Sequence, residues 1–413
     1  MTRSQFSATV LCWLLASVAG PPTAYAQPSP VEESSGAIPS DTGERTWRRV
    51  GPAVSERGVA YAAATNAQGL TLVGVRPDGL FLSVAGTWRR TRGPFRRGIG
   101  PNTESLAVAP SNQSLIYVGL ERRGILRSET AGHTWTDRSA TLPRGRARNV
   151  VCVAVLPSDA ETAWIGTDGG LFKTTDGGAT WQPLTTGLPT GRVKSDGDRH
   201  LTIAGLCLDP ANPESMLLGV YATGLTAEGE SEPAGVYRSS DGGETWEASS
   251  EGLDRATQRY GSMTLRNDWV RSLSRSRRDP AVAYVATLGG VFRSSDGGRS
   301  WRRLPAANGS LVACVPWSDA VVLARPDGGV EISSDAGKAW RALGRGLPTG
   351  ANGENDGEPL QVTLINADGT RQQVEGRRFD EQHLVRAFAF DELRRVVFAC
   401  STTGLYSLPL PAD

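Results

Sequence analysis

An eight-residue turn motif recurs along the chain and constrains its fold more than any other feature. Ser or Thr, Asp, Gly and a final Trp are shared by "TTDGGATW" at 174–181, "SSDGGETW" at 239–246, "SSDGGRSW" at 294–301 and "SSDAGKAW" at 333–340, and "SETAGHTW" at 128–135 is a looser copy. In a tight turn, a short carboxylate accepts backbone N–H bonds and glycine supplies a positive φ, while tryptophan fills space between sheets. These roles occupy every polar group of the motif. The motif is therefore predicted to build the fold and to perform no chemistry.

The motif sits inside a longer repeating unit whose third strand starts with glycine. The starts of these strands are Gly79, Gly124, Gly170, Gly235, Gly290, Gly329 and Gly404. Each unit predicts four short strands, named A to D, with the motif as the turn between strands C and D. A unit of about 40 to 45 residues with variable insertions is the size of one propeller blade.

The tryptophans predict how the ring closes. The seventh unit, "GLYSLPLPAD", ends before any tryptophan, and "ERTWRRV" near the N-terminus supplies the missing strand. The sequence therefore predicts an all-β fold, a single seven-bladed β-propeller of four-stranded blades over 44–413, with its ring closed by the N-terminal strand. The residues assigned to this architecture are Asp176, Asp241, Asp296, Asp335, Trp47, Trp88, Trp135, Trp181, Trp246, Trp301 and Trp340.

The pattern S-x-D-x-G-x-T-W resembles the Asp-box, or BNR, repeat of sialidases, xyloglucan-cleaving propellers, sortilin-type receptors and Ycf48-like photosystem II assembly factors. In size and blade count the chain is most similar to the Ycf48-like group, whose members act as assembly or scaffold factors. In these families the box lies away from the active site, so the resemblance implies the fold and carries over no catalytic residue. The Arg-Ile-Pro motif of sialidases does not occur in this sequence.

The N-terminal region has the features of an export signal followed by a linker. Residues 1–26 combine Arg3, an apolar run over 8–20 and small residues at 24–26, which predicts a cleavable signal peptide. The apolar run is shorter than the roughly 20 residues of a membrane-spanning helix. Residues 27–43 are rich in Pro, Ser and acidic residues and predict a flexible linker. The sequence thus predicts a secreted or periplasmic protein that does not span a membrane.

Charge and cysteine usage narrow the range of partners. The formal net charge of +1 gives no reason to expect nucleic acid as a partner. Cys12 lies in the predicted signal, and the other cysteines lie in apolar strand-like runs, which favours buried thiols over disulfides. There is no Cys-x-x-Cys motif. We expect no metal, no cofactor, and a monomer whose partner is a protein or a carbohydrate.

The long insertions all fall on one side of the predicted ring. The A–B and C–D turns share one face, whereas the B–C and D–A connections share the other. Loops on a rigid scaffold commonly carry binding sites, so this second face is the predicted binding surface. "LQVTLINADGTRQQVEG", in the largest insertion, predicts a projecting hairpin that is either a lid or a surface decoration. The insertions are 93–103, 189–200, 224–233, 252–268 and 348–383.

Residues in the B–C turns and just before each A strand are expected to ring the channel entrance. The arginines among them form either an anion-binding patch or a solvated rim. Two histidines occupy equivalent positions, which allows a metal or acid–base role or ordinary solvated side chains. The candidate binding residues are Arg122, Arg148, Asn149, Arg199, His200, Asn267, Asp268, Trp269, Arg325 and His383.

Two functional hypotheses follow. The first is a propeller that binds a protein or glycan on this face without catalysis, and it is favoured because no catalytic motif occurs. The alternative is a carbohydrate-active enzyme, either a glycoside hydrolase of exo-sialidase type or a lyase, with rim carboxylates as acid and base. Its candidate catalytic residues are Asp168, Asp268, Glu381, His200 and His383, and its candidate stacking aromatics are Trp164, Trp269 and Tyr260.

Overall fold

A computed structural model describes the chain from residue 45 to residue 410 with internal gaps. The described ranges are 45–52, 59–66, 69–76, 78–84, 87–91, 103–190, 192–193, 199–222, 234–260, 263–305, 307, 309–326, 328–347, 360–365, 371–376 and 385–410. The predicted signal peptide and linker, at 1–26 and 27–43, lie outside these residues, as do the insertion 224–233 and most of 93–103. Apart from one short 3-10 helix at Gly145–Arg148, the regular structure of the described residues is β-sheet.

Seven four-stranded antiparallel sheets confirm the predicted seven-bladed propeller. The first strand in chain order, β1, is Arg48–Arg49. The first blade has β2 (Val59–Thr65), β3 (Thr71–Arg76), β4 (Gly79–Val84) and β5 (Thr87–Arg90), and the second has β6 (Thr103–Val108), β7 (Ile116–Leu120), β8 (Gly124–Ser128) and β9 (Thr136–Asp137). The third blade has β10 (Val150–Leu156), β11 (Asp159–Thr167), β12 (Gly170–Thr174) and β13 (Gln182–Leu184). After β14 (Arg192–Val193) and β15 (Arg199–His200), the fourth has β16 (Thr202–Leu208), β17 (Met216–Ala222), β18 (Gly235–Ser239) and β19 (Glu247–Ala248).

The remaining strands complete the ring. After β20 (Thr257–Tyr260) and β21 (Met263–Arg266), the fifth blade has β22 (Val270–Arg275), β23 (Ala283–Thr287), β24 (Gly290–Ser294) and β25 (Arg302–Arg303); the sixth has β26 (Leu311–Cys314), β27 (Val321–Ala324), β28 (Val330–Ser333) and β29 (Arg341–Ala342). After β30 (Leu360–Ile365) and β31 (Arg371–Gly376), the seventh has β32 (Val385–Asp391), β33 (Val396–Ser401) and β34 (Gly404–Pro409).

The N-terminal strand closes the ring as the displaced tryptophan predicts. β1 pairs antiparallel with β34, with Arg48 opposite Ser407, and so becomes the outer strand of the seventh blade. The adjacent Trp47 is buried, and its Nε1 donates to the carbonyl oxygen of Leu343, beyond the sixth blade, at 2.5 Å. Closure therefore uses both backbone pairing and a tryptophan packed between two blades.

The repeated turn is structural, as its chemistry predicts. In 239–246, the Asp241 carboxylate accepts bonds from the Thr245 N–H at 3.0 Å and the Thr245 hydroxyl at 2.5 Å. The Ser239 hydroxyl donates to Asp241 and accepts the Gly243 N–H at 2.9 Å. The Gly242 N–H donates to the carbonyl oxygen of Glu214 in the A–B turn of the same blade. The boxes and A–B turns thus share one side, called here the box face, and the opposite side is called the insertion face.

The apolar interior lies between neighbouring blades and contains the four cysteines of the described region. Cys152, Cys207, Cys314 and Cys400 are all buried and free, as their apolar strand-like surroundings predict. Burial raises the pKa of the Cys207 and Cys314 thiols to about 12. These thiols therefore stay protonated and pack as small apolar side chains.

Two insertions that are far apart in sequence join in one additional sheet. The predicted hairpin is present as β30 and β31, with Leu360 opposite Gly376. β20 and β21 form a second hairpin, and β20 pairs antiparallel with β30, with Thr257 opposite Ile365. The connection after the fourth blade is therefore bonded to the connection after the sixth. The sequence marked 252–268 only as a long loop, although "TQRYGSMTLR" alternates around a Gly-Ser turn.

Candidate functional site

Connections of the insertion face are bonded to one another around the starts of the A strands of the third, fourth and fifth blades. In the third blade, the Asp168 N–H donates to the carbonyl oxygen of Asn149 at 3.2 Å, and the Leu201 N–H donates to the carbonyl oxygen of Asp168 at 3.1 Å. In the fifth blade, the Leu288 N–H donates to the carbonyl oxygen of Trp269 at 3.1 Å. These bonds join D–A connections to B–C turns and form a rigid rim.

A β-bulge recurs at the second or third residue of the A strand in six of the seven blades. A bulge re-aims the side chain of the extra residue and is common beside binding sites. At the junction of the first and seventh blades, the Tyr61 ring lies between the guanidinium groups of Arg76 at 4.9 Å and Arg386 at 5.2 Å. The sequence analysis missed these bulges, because an extra residue inside an apolar run leaves no break in the pattern. The bulged residues are Tyr61, Glu104, Val151, Ala204, Arg271 and Arg386.

Asn149 and Asp168 form a bonded pair on the rim of the third blade. Asn149 Nδ2 donates to Asp168 Oδ2 at 2.6 Å, and Asn149 Oδ1 accepts the N–H of Arg122 at 3.2 Å. Burial raises the pKa of the Asp168 carboxyl, while the bond from Asn149 and the charge of Arg146 oppose that rise. The structure thus brings together three of the predicted residues, Arg122, Asn149 and Asp168.

Asp268 is paired within the chain at the entrance to the fifth blade. It is 1% exposed, and both of its oxygens accept bonds from Arg266, at 2.9 Å from Nε and 2.7 Å from Nη2. This pairing raises the pKa of Arg266. The neighbouring Asn267 is buried and donates to Asp254 Oδ2 at 2.7 Å. The geometry gives both residues structural partners.

Two of the three candidate stacking aromatics, Trp164 and Trp269, lie in the core, and Tyr260 is the last residue of β20. Trp164 is buried, and its Nε1 donates to the carbonyl oxygen of Gly242 in the next box at 3.2 Å. Trp269 is buried and contacts the ring of Tyr221 at a centroid distance of 5.4 Å. Neither indole face is available for a sugar in this conformation.

The remaining candidates have separate positions or lie outside the described residues. Arg325 forms an ion pair with Glu331 at 3.0 Å. Arg199 and His200 lie in β15, whose backbone pairs with β14. Glu381 and His383 lie outside the described residues. Within the described ranges, no three His, Cys, Asp or Glu side chains are grouped as metal ligands.

One charged surface is well defined. Five arginines belong to two adjacent segments, the B–C turn of the second blade and the connection 138–149 that follows it. We call them the arginine patch. The sequence analysis selected Arg122 and Arg148, and the motif "PRGRARN" at 143–149 was the available sign of Arg144 and Arg146. The members of the patch are Arg122, Arg123, Arg144, Arg146 and Arg148.

Comparison with known proteins agrees with this architecture. Residues 237–248, around the box of the fourth blade, match the BNR/Asp-box repeat. The match covers the box of one blade, and the boxes of the third and fifth blades make the same bonds. A helix long and apolar enough to span a membrane is absent from its described residues.

The relatives of this propeller belong to more than one functional class. A probable oligoxyloglucan-reducing end-specific xyloglucanase from Neosartorya fischeri is 31% identical over 106 residues. That alignment covers 24% of this chain and only 13% of that enzyme. Ycf48 from Cyanidioschyzon merolae superposes with a TM-score of 0.53 at 13% identity, covering 89% of this chain and 99% of its own. Ycf48 bound to a D1 peptide gives 0.54 at 12% identity, covering 90% and 100%. At these identities the structural likeness shows the fold.

Proposed function

We propose that this protein is an exported, monomeric propeller that binds a protein or glycan partner on the insertion face and has no catalysis of its own. The observation that carries the proposal is the state of the rim carboxylates. Asp268 is buried in an ion pair with Arg266, and Asp168 is bonded to Asn149. A glycoside hydrolase needs two carboxyl groups that both face the substrate. The ion-paired Asp268 does not meet that requirement, and Asp168 is bonded to Asn149 through Oδ2 while its Oδ1 is buried without a hydrogen-bond partner.

Two further features support binding on this face. Insertions from two separate connections combine there into one sheet, whereas the box face repeats the same short turns. Ycf48, which shares the fold, has been solved with a bound peptide, so a propeller of this form can bind a protein segment. Export rests on the predicted signal peptide at 1–26. Of the candidate binding residues, Arg122, Arg148, Arg199, His200, Arg325 and His383 are proposed for binding, whereas Asn149, Asn267, Asp268 and Trp269 are buried and are assigned structural roles.

A carbohydrate-active enzyme is the second candidate, and the alignment with the xyloglucanase favours it. In that case Asp168, Asp268 or Glu381 would act as acid or nucleophile, with His200 or His383 assisting. The raised pKa of Asp168 suits a general acid.

An activity assay separates the two candidates. The purified full chain is incubated with xyloglucan oligosaccharides and sialosides, and new reducing ends and free sialic acid are measured, while a glycan array records binding. We expect no cleavage. Cleavage that is lost in Glu381→Gln or His383→Ala, with the thermal midpoint unchanged, would overturn the non-catalytic proposal.

A further inference from the structure

The outer strands of the blades divide the ring by the sign of their charge. In the fifth, sixth, seventh and first blades, the residue after the blade's tryptophan is arginine, and in three of these blades a second arginine follows. In the second, third and fourth blades, the outer strands carry no basic residue, and two of them carry an acidic residue, Asp137 and Glu247. The four arginine-bearing blades are consecutive, since the first blade packs against the seventh. Their outer-strand arginines, called here the arginine edge, are Arg48, Arg49, Arg89, Arg90, Arg302, Arg303 and Arg341.

The arginine edge also differs from the other blades in its partners. All seven arginines are exposed, and none forms an ion pair or a side-chain hydrogen bond with another described residue. On the other half of the ring, basic side chains have acidic partners: Arg138 lies 3.8 Å from Glu129, and Lys173 lies 2.6 Å from Glu244. The distribution of charge and of partners, and not the number of arginines in the chain, therefore distinguishes this edge.

One cross-strand position shows that this distribution acts against stability. In the fourth blade, Arg238 of β18 is opposite Glu247 of β19, and the two form an ion pair. At the same position of the fifth blade, Arg293 of β24 is opposite Arg302 of β25. Opposite charges on such a pair stabilise a sheet, whereas like charges destabilise it. The fifth blade thus carries an unfavourable pair where the same fold accommodates a favourable one.

Protection of sheet edges explains only part of this pattern. Short outer strands with charged side chains keep a blade from pairing with the sheet of another chain. Either sign of charge gives that protection, as Glu247 does in the fourth blade. Edge protection therefore accounts for the presence of charge on the outer strands, but it does not account for four consecutive blades of one sign.

The second arginine of the outer strand is positioned in the same way in two blades. A Cβ at Gly290 would lie 3.2 Å from Nε of Arg303, and a Cβ at Gly404 would lie 3.1 Å from Nε of Arg49. Each guanidinium therefore rests on the glycine that begins strand C of its own blade. Side chains that are already positioned lose less entropy when a ligand binds. The fifth and seventh blades thus present the same charged group in the same place.

The shape of the edge limits what can contact all four blades. These blades make up more than half of the seven-bladed ring, so the edge is convex and its two ends face away from each other. A flat anionic bilayer would contact only part of such a surface. Double-stranded DNA has a persistence length of about 50 nm, so bending it round a single domain is costly. A flexible linear polyanion can follow the edge from blade to blade.

The described side chains separate a polysaccharide from other flexible polyanions. Single-stranded nucleic acids stack their bases on exposed aromatic rings, and no Trp, Tyr or Phe whose exposure the structure describes is exposed. Protein segments bind through apolar anchors or by adding a strand to a sheet. Leu393, in an A–B turn, is the one exposed large apolar side chain of the described residues, and three of the four outer strands have two residues. A chain of acidic sugars needs neither feature, because arginine pairs directly with its anionic groups.

We propose that the arginine edge binds a linear anionic polysaccharide, whose carboxylate or sulfate groups pair with arginines of successive blades. This inference goes beyond the proposed function, because it assigns a second ligand to a surface outside the insertion face. Loss of partner binding on the insertion face would leave it unchanged.

The experiment measures binding of the full chain to labelled dextran sulfate and polygalacturonate at low salt. For each polymer, a disaccharide is compared with a chain of about twenty sugars, which should bind at least tenfold more tightly because it reaches several blades. The polymer that binds more tightly identifies the anionic group. Absence of binding to both polymers, or equal affinity for the short and long chains, would overturn the inference.

Two variants with the same loss of charge locate the binding surface. The test variant removes one arginine from each blade of the edge, and the control variant removes four exposed arginines outside it. We expect the test variant to bind the long polymer at least about tenfold more weakly and the control variant to bind within about twofold of the wild type. Equal weakening would overturn the inference, because net charge alone would then explain binding. The test substitutions are Arg48→Gln, Arg89→Gln, Arg302→Gln and Arg341→Gln, and the control substitutions are Arg123→Gln, Arg144→Gln, Arg255→Gln and Arg395→Gln.

A reciprocal exchange separates loss of binding from loss of folding. Arg302→Glu creates in the fifth blade the favourable pair of the fourth, so it should raise the thermal midpoint while weakening polymer binding about threefold. Glu247→Arg creates the like-charge pair in the fourth blade and extends the edge, so it should lower the midpoint while strengthening binding about twofold. Unchanged binding in both variants would overturn the inference.

Poly-glutamate peptides provide the protein-like comparison. A short peptide, which reaches the arginines of one blade only, should not bind the edge measurably, as expected for the disaccharides. Tighter binding of a long poly-glutamate than of both polysaccharides at matched charge, lost in the test variant, would overturn the choice of a polysaccharide.

Discussion

On the box face, the third, fourth and fifth blades make the same bonds, from Thr180 to Asp176, Thr245 to Asp241 and Ser300 to Asp296. On the insertion face, the third blade pairs Asn149 with Asp168, whereas the fifth uses Arg266 with Asp268. The hydrogen bonds of the box are the same in these blades, whereas the side-chain pairs of the insertion face differ from one blade to the next. Function is therefore expected where the repeat is broken.

The largest effect is expected for a box tryptophan. Trp301 is buried, and its Nε1 donates to the carbonyl oxygen of Ser249 at 2.8 Å. Trp301→Ala should lower the free energy of unfolding by about 3–5 kcal/mol, measured by urea denaturation.

The contribution of the indole hydrogen bond is tested by comparing Trp301→Phe with Trp340→Phe, because Trp340 Nε1 is buried without a partner. The first should cost about 1 kcal/mol more than the second, and equal losses would contradict the role given to the indole bond.

Two glycines with similar backbone angles separate a packed position from an open one beside the same box. Gly187, in the connection after β13, has a φ of 80°, and a Cβ there would lie 1.8 Å from the carbonyl oxygen of Trp246, the last residue of the box 239–246. Gly242, in a box, has a φ of 70° and nothing within 4 Å. Gly187→Ala should cost about 2–4 kcal/mol and Gly242→Ala about 1 kcal/mol in unfolding free energy. Similar losses at both sites would show that the contact with Trp246 is unimportant.

The two faces should also respond oppositely to pH. Hydrogen bonds from the Thr180 hydroxyl and N–H lower the pKa of Asp176 to about 2 from its ordinary 3.8. The stability that the ionised Asp176 contributes is therefore fully present above pH 3.8 and is lost as the pH falls through about 2. Burial raises the pKa of Asp168, so its ionisation destabilises the fold as pH rises above the ordinary value.

Urea midpoints measured from acid to neutral pH test this difference. Asp176→Asn should flatten the acid side of the profile, and Asp168→Asn should raise the midpoint at neutral pH while retaining an acceptor for Asn149 Nδ2. A lower midpoint for Asp168→Asn across the whole range would contradict the assigned direction of its pKa.

The smallest effect is expected at Arg122. Arg122 has a φ of 56°, in the left-handed region that favours glycine. Replacing it with glycine removes this strain but increases the freedom of the unfolded chain, so the unfolding free energy should rise by about 0.5 kcal/mol. Calorimetry against Arg123→Ala as the neighbouring control measures this. A clear loss of stability would mean that the Arg122 side chain supports the fold.

The fold could be predicted because its information is local. Each box specifies its own turn through Asp, Ser or Thr and Gly, and the missing tryptophan of the seventh blade indicated the displaced strand with Trp47. The pairing of β20 with β30 could not be predicted in this way, since it joins residues about a hundred positions apart and neither strand specifies its partner.

The candidate site was less predictable, because the surroundings of its side chains depend on neighbouring blades and connections. Trp164 and Trp269 look like candidate aromatics in sequence, but strand alternation alone does not say whether a side chain meets a ligand or a neighbouring blade. The arginines at 144 and 146 were visible as composition. Their position beside Arg122 depends on the fold of the 138–149 connection and on Gly169, against which the short helix Gly145–Arg148 packs.

Amide hydrogen exchange with and without a poly-glutamate peptide, an anionic probe for the arginine patch, tests most directly whether binding is confined to the insertion face. The account predicts protection in peptides covering 120–124 and 138–149, with no change across the boxes at 174–181, 239–246 and 294–301. Protection at the boxes with none at 120–124 and 138–149 would contradict it.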